Sequence, residues 1–228
     1  MVTDKHRSTP IRASFSIRVH LCSSVAMGLE RGSSAIEFAF SCLVLLPLLL
    51  GALSVGFNLL RATQVAQFAR DAGHLYAYGI DFTQASAQQI LVKLATGLNF
   101  VLSGGSGEVI FSTILKVGPN DCTAGGLQAN TGSCPNLNQA VYTRWYKAGN
   151  TSLYTSTFGK PATADPTTGI INSSSYLLDS SARANGIAGL MTLAAGQSIY
   201  LTEVYFSSSD YDITGFLTGN GVYARAIF

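Results

Sequence analysis

From Phe38 to Leu60 the chain carries no charged residue over a run of 23 positions. As a helix rising ~1.5 Å per residue, such a run reaches about 35 Å, enough to cross a hydrocarbon core of ~30 Å. It predicts a single membrane-spanning helix. The residue just before it is Glu37. A charge near the middle of a membrane helix costs roughly 2.5 to 3.5 kcal/mol, less toward the interface, so a carboxylate here calls for a function and a cationic partner.

The residues around Glu37 form a pattern. Gly32-Ser33-Ser34-Ala35-Ile36-Glu37-Phe38, leading into an apolar helix, resembles the processing site of type IV prepilins, specifically the type IVb, tight-adherence (Flp-type) branch. Ala35 to Phe40, Pro47 followed by Leu48-Leu49-Leu50-Gly51, and Gln64-Val65-Ala66-Gln67-Phe68-Ala69-Arg70-Asp71-Ala72-Gly73 resemble the N-terminal signature of TadE-like pseudopilins. The closing Val222 to Phe228 is similar, more weakly, to the way such chains end. The resemblance implies that an inner-membrane prepilin peptidase cuts after Gly32 and leaves Ser33 with a free α-amino group. It further implies that Glu37, then at mature position five and followed by Phe38, neutralises the amine of a neighbouring subunit during assembly. One departure is visible, because the family pattern has its Pro about six residues after the Glu and Pro47 lies ten after Glu37. Four further residues are roughly one helical turn, which keeps Pro47 on nearly the same face but deeper; a helix kink is expected there.

Two other readings of the run remain. A secretory signal peptide has an apolar region of only about 7 to 15 residues, and no small-x-small cleavage site follows Leu60. An uncleaved membrane anchor fits the length but leaves Glu37 without a purpose.

Charge sets the expected topology. The 228 residues carry a net +2, of which the first 31 hold +3 and the remainder −1. A basic flank before a membrane helix predicts a cytoplasmic N-terminus, with everything after Arg61 outside the inner membrane. The expected division is a cleaved basic leader at 1–32, a transmembrane helix at 33–61, and an extracytoplasmic head at 62–228. Only 11% of residues are charged and 23 are Gly, a balance suited to an exported surface domain. Without a Lys/Arg stripe beyond the leader, nucleic-acid binding is disfavoured.

The four cysteines sort by compartment. Cys22 falls in the leader and Cys42 in the apolar run, where a thiol behaves as a small apolar group. Cys122 and Cys134 flank a Gly, Asn, Thr and Ser-rich loop in the half assigned to an oxidising space, so a disulfide is expected, worth about 3 kcal/mol by loop closure. The rival, metal ligation, lacks the further Cys or His of a four-ligand site.

The fold class reads as α+β and pilin-like: a long N-terminal helix, membrane-spanning in its first half, packed in its second on a small antiparallel sheet. Val65, Ala69, Ala72 and Tyr76 continue the helical period, which predicts one helix through about 62–79, ended by Gly79. A second helix is expected at about 83–97, with capping-box starts at Asp81 and Ser86. Strands are expected at Glu108–Val117, Asn138–Ala148, Ser198–Ser207 and Gly221–Phe228. Gly159–Ser175, rich in Pro, Thr, Gly and Ser, reads as a mobile surface excursion.

Chemistry is sparse. There is no nucleophile elbow and no His-x-x-x-His pair, and the Ser103–Gly107 cluster lacks the Lys-[Ser/Thr] of a phosphate loop. His74 reads as an interfacial residue. Asp210 and Asp212 could supply two hard oxygen ligands for calcium, fewer than a recognised loop requires, and equally suit a turn. No enzyme activity, cofactor, metal site or small-molecule substrate is therefore expected. The leading reading is a minor pseudopilin of a tight-adherence pilus, partnered by the inner membrane, prepilin peptidase and other pilus subunits. The alternative is an uncleaved single-pass envelope module whose loops at 118–135 and 159–175 recognise a glycan or a protein.

Overall fold

A computed structural model describes residues 27–207 and 221–228, with side chains from residue 34 onward. Its described residues divide into two compact units, those up to Leu50 and those from Gly51 on. Helix α1 (Met27–Ala77) contributes to both, and Pro47 lies inside it with helix on either side. In the first unit the helix is built from Leu, Val, Phe and Ala, and its span from Ser34 is long and apolar enough to cross a membrane.

The second unit is an α+β head. The last turns of α1 bury Val65, Ala69, Ala72 and Tyr76, the stripe that the helical period singles out, and Phe68 with them. The helix stops because Gly79 adopts φ +88°, where a Cβ would be strained. Gly79 N–H then bonds Tyr76 C=O at 3.0 Å and Ile80 N–H bonds Leu75 C=O at 3.0 Å, which satisfies carbonyls the helix end would otherwise orphan. Helix α2 (Ala85–Leu94) is shorter than expected. Neither expected capping box forms. Asp81 instead accepts Thr83 N–H at 3.0 Å and Thr83 O–H at 2.8 Å in a turn of its own, and pairs with Arg144.

Four antiparallel strands follow: β1 (Gly107–Lys116), β2 (Ala140–Gly149), β3 (Ser198–Phe206) and β4 (Val222–Ile227), ordered β2-β1-β3-β4. All four fall where alternation and β-branched content place them, within two residues at each end. The central strand is β1, opposite β2 in the register Ile110↔Lys147 and opposite β3 in the register Ile110↔Glu203. A bulge between Thr113 and Ile114 shifts the register with β2.

Both sheet faces are covered. One carries Val109, Phe111, Ala148, Val204 and Phe206 against α1 and α2. The other carries Ile114, Tyr142, Ile199 and Leu201 beneath Phe158, Ile171 and Ile187 from the long β2–β3 connection. That connection is pinned at several points, which differs from the mobile excursion expected of its composition. Ile170 forms a backbone bridge to Arg144, Trp145 N–H bonds Gly169 C=O at 2.7 Å, and Ile171 N–H bonds Thr143 C=O at 3.0 Å. Composition speaks to turns, whereas the burial of one apolar side chain, Ile171, and the backbone bonds beside it decide how the segment docks.

Two short helices, α3 (Pro119–Ala124) and α4 (Ser173–Leu178), complete the head. Leu177 of α4 joins Cys122, Cys134, Val117 and Val141 in a third apolar cluster. Helices of this length do not stand alone in water, and it is this packing that holds them.

Candidate functional site

The segment with the densest sequence signal is the start of α1. Gly32 and Ser33 lie in its helical backbone. Glu37 is exposed, and Phe38 beside it is 71% exposed. The large apolar side chains from Ile36 to Leu60 are likewise exposed, between 47% and 71%. Each side chain of that kind gains about 1.5 to 3 kcal/mol on full burial, so a stretch of this size needs lipid or neighbouring helices around it. Glu37 lies at one end of that stretch, and Arg61 at the other is 9% exposed, with its guanidinium donating to Ser207 C=O at 3.0 Å. The chemistry available here is a carboxylate at the lip of an apolar surface, which can order helices against one another.

A second polar arrangement lies in the head, and the sequence analysis did not anticipate it. Glu108 on β1 is fully buried and Glu203 on β3 is 1% exposed, both on the sheet face turned away from α1. Glu108 forms an ion pair with Lys147 of β2, and its other oxygen accepts Tyr154 N–H at 2.8 Å. Lys147 Nζ also donates to Thr151 C=O at 3.0 Å and Tyr154 C=O at 2.7 Å. Glu203 accepts Ser156 O–H at 2.6 Å and Tyr223 O–H at 2.9 Å, and Ser156 Oγ accepts Phe158 N–H at 3.2 Å. The strap at 151–158 is thus held at three residues, Thr151, Tyr154 and Ser156, by two buried carboxylates and one ammonium. Burial pushes the Glu203 carboxyl above its ordinary range, against the hydrogen bonds of Ser156 and Tyr223 and the charges of Arg225 and Lys147. Tyr223 is pushed up as well, first by burial and then by the Glu203 carboxylate. The residues act as a clamp. They leave no open acid and base pair facing a common substrate position.

A sequence signal for this clamp did exist. In Glu108-Val-Ile-Phe-Ser-Thr-Ile, apolar residues occur in both phases of the alternation, which marks a strand covered on both faces and makes its Glu a buried one.

Cys122 and Cys134 form a disulfide with both residues fully buried. Its loop is ordered further by Asn130, whose side-chain oxygen accepts Gly132 N–H at 3.1 Å and Ser133 N–H at 2.9 Å. Among the described residues no group of three His, Cys, Asp or Glu side chains could hold a metal ion. His74 packs its ring 4.3 Å from that of Phe228, an aromatic contact at the end of β4. Asp210 and Asp212 lie outside the described residues, as do Cys22 and most of the leader.

The structure therefore brings Gly32, Ser33, Glu37, Phe38 and Pro47 onto one helix, and places Cys122 and Cys134 in the head. No curated protein and no solved structure matches the chain. A protein-family model does match it, over residues 32–74, from Gly32 through the exposed apolar stretch to the buried stripe of the head. That segment is TadE-like, which supports involvement of the chain in a tight-adherence pilus system.

Proposed function

We propose that the chain is a minor pseudopilin that inserts with its N-terminus in the cytoplasm, is trimmed after Gly32 by prepilin peptidase, and takes part in assembling a tight-adherence pilus. The observation that carries this reading is the TadE-like match over residues 32–74, because one segment holds Gly32, Glu37, Phe38 and the whole apolar stretch. The head, with its disulfide, is then periplasmic, and the exposed side chains from Ile36 to Leu60 face lipid or neighbouring helices.

The mechanism is electrostatic and geometric. Desolvation makes a carboxylate at the lip of the membrane costly, and the ammonium of Ser33 on an adjacent subunit lowers that cost, so one axial stagger between helices is favoured over others. Such a pair acts as a register device more than as a source of affinity. The test is Glu37→Ala. The variant inserts at least as well as the wild type, and its crosslinking to other pilus subunits falls. Glu37→Asp, which keeps the charge but shortens the reach by one methylene, is intermediate. Unchanged crosslinking in Glu37→Ala removes the role assigned to this residue.

A further inference from the structure

The turn after α2 meets α1 where the uncharged run ends, a corner that neither the clamp nor the pairing of Glu37 uses. Phe57, Leu60, Arg61 and Gln64 of α1, together with Gly97 and Asn99 of the turn, line a cavity of about 260 Å³. A Cβ on Gly97 would lie 3.7 Å from the Gln64 amide nitrogen, so turn and helix are in close contact. Phe57 and Leu60 lie in the last turn of the run and are 48% and 55% exposed. With that run in lipid, a turn packed against its end sits at the edge of the bilayer.

The composition of this corner suits lipid. From Leu94 to Gly107 the chain carries no charged residue, and Glu108, which follows, is fully buried. Val101, four residues past Gly97, is 45% exposed and belongs to none of the apolar clusters of the head. The cavity lining is graded as well. Phe57 and Leu60 fall within the run, whereas Arg61, Gln64 and Asn99 bring a guanidinium and two side-chain amides, the guanidinium also donating to Ser207 C=O at 3.0 Å. That order, apolar and then rich in donors, follows a phospholipid from its acyl chain to its ester and phosphate oxygens.

We propose that the turn at 97–101 rests in the membrane interface and that a phospholipid occupies the cavity. Its acyl chain lies along Phe57 and Leu60, and its headgroup oxygens accept from Arg61, Gln64 and Asn99. The cavity continues the exposed apolar surface of Ile36 to Leu60, so the medium that covers that surface reaches it directly. A neighbouring apolar helix would leave the donors of Arg61, Gln64 and Asn99 facing hydrocarbon, whereas phosphate and ester oxygens satisfy them. The head therefore touches the bilayer at this corner instead of standing clear of it. The proposal rests on the reading of Phe38–Leu60 as a membrane span and is independent of processing after Gly32.

The test uses the full-length protein with Cys22→Ser and Cys42→Ser, in which the buried Cys122–Cys134 disulfide does not label. An environment-sensitive fluorophore is attached in turn at Gly97→Cys, Val101→Cys, Leu50→Cys within the run, and Ala188→Cys. Ala188 shares a cavity with Lys116, at the other end of β1 from Gly107 and about 30 Å along the strand. Each protein is reconstituted in phosphatidylethanolamine–phosphatidylglycerol vesicles at two protein-to-lipid ratios, with and without phospholipids that carry a nitroxide near the headgroup or deep in the acyl chain. The labels at positions 97 and 101 emit to the blue of the label at 188 and are quenched by the shallow nitroxide, equally at both ratios. The label at 188 is not quenched, and the label at 50 is quenched by the deep nitroxide. Labels at 97 and 101 that match the one at 188, beside a quenched label at 50, overturn the proposal while the membrane span stands. An unquenched label at 50 removes the span and the proposal with it. A blue shift at 97 and 101 that grows with the protein-to-lipid ratio, without nitroxide quenching, assigns the corner to a second subunit and overturns the proposal as well.

Discussion

The phenol of Tyr76 and the hydroxyl of Thr113 meet at 2.7 Å, which ties the last turn of α1 to the middle of β1. Around this bond the Tyr76 ring contacts Phe111 at 5.1 Å and Tyr200 edge-on at 5.5 Å between centroids. The same side chain therefore closes the helix onto two strands, through one polar bond and two aromatic contacts.

Tyr76→Phe keeps the ring and loses the bond, so the head should lose about 1 kcal/mol. Tyr76→Ala removes the ring as well and should cost about 3 to 5 kcal/mol. Chemical denaturation of the two variants separates the terms. If Tyr76→Phe costs as much as Tyr76→Ala, the hydrogen bond rather than the ring closes this corner.

The half-buried Lys147 and the fully buried Glu108 form an ion pair whose members depend on each other. Lys147→Met leaves the carboxylate of a fully buried Glu108 without its cation, a loss of about 3 to 5 kcal/mol. Lys147→Met combined with Glu108→Gln should recover much of that, since the uncompensated charge is gone. A double variant no more stable than the single one would show that the pair is not what holds the strap.

Glu203 sets a pH dependence of known sign. Its carboxyl is raised in the folded head above the ordinary value of 4.5, so its stabilising contribution is full below that value and is lost as pH rises through the raised one. Glu203→Gln copies the protonated form at every pH. Its melting temperature relative to wild type should increase from about pH 4.5 upward and then level off. Asp81 and Asp179, both held below the ordinary range, drive stability the opposite way on acidification, but they are common to both proteins and cancel in the difference. A difference that does not change with pH would contradict the assignment.

Much of the head was legible because its strands obey short-range rules. Val65, Ala69, Ala72 and Tyr76 show the helical period, and the four strands show β-branched and aromatic runs bounded by Gly or Asn. What escaped are features made by residues far apart in the chain. Glu108, Lys147 and Glu203 are single charges in three separate strands, and only the register of β1 with its two neighbours puts them on one face. Helix α4 is three serines, a Tyr and two leucines, a composition without helical pattern, and it forms because Leu177 has the buried Cys122 and Cys134 to pack on. The docking of the β2–β3 connection rests on Ile171, one buried residue in a stretch that otherwise reads as loop. At the other end of the chain the signal is entirely local, because Gly32, Glu37 and the uncharged run are contiguous.

The central claim is that the chain is a processed pseudopilin, and the start of the mature protein tests it most directly. N-terminal sequencing is carried out on the protein purified from cells with and without prepilin peptidase, alongside a Gly32→Val variant, which has a side chain where the protease must seat the backbone. The account predicts that the mature chain begins at Ser33 only when peptidase and Gly32 are both present, with the full-length precursor accumulating in the membrane otherwise. A chain that keeps its leader in cells with active peptidase, or a Gly32→Val protein that still begins at Ser33, would contradict it.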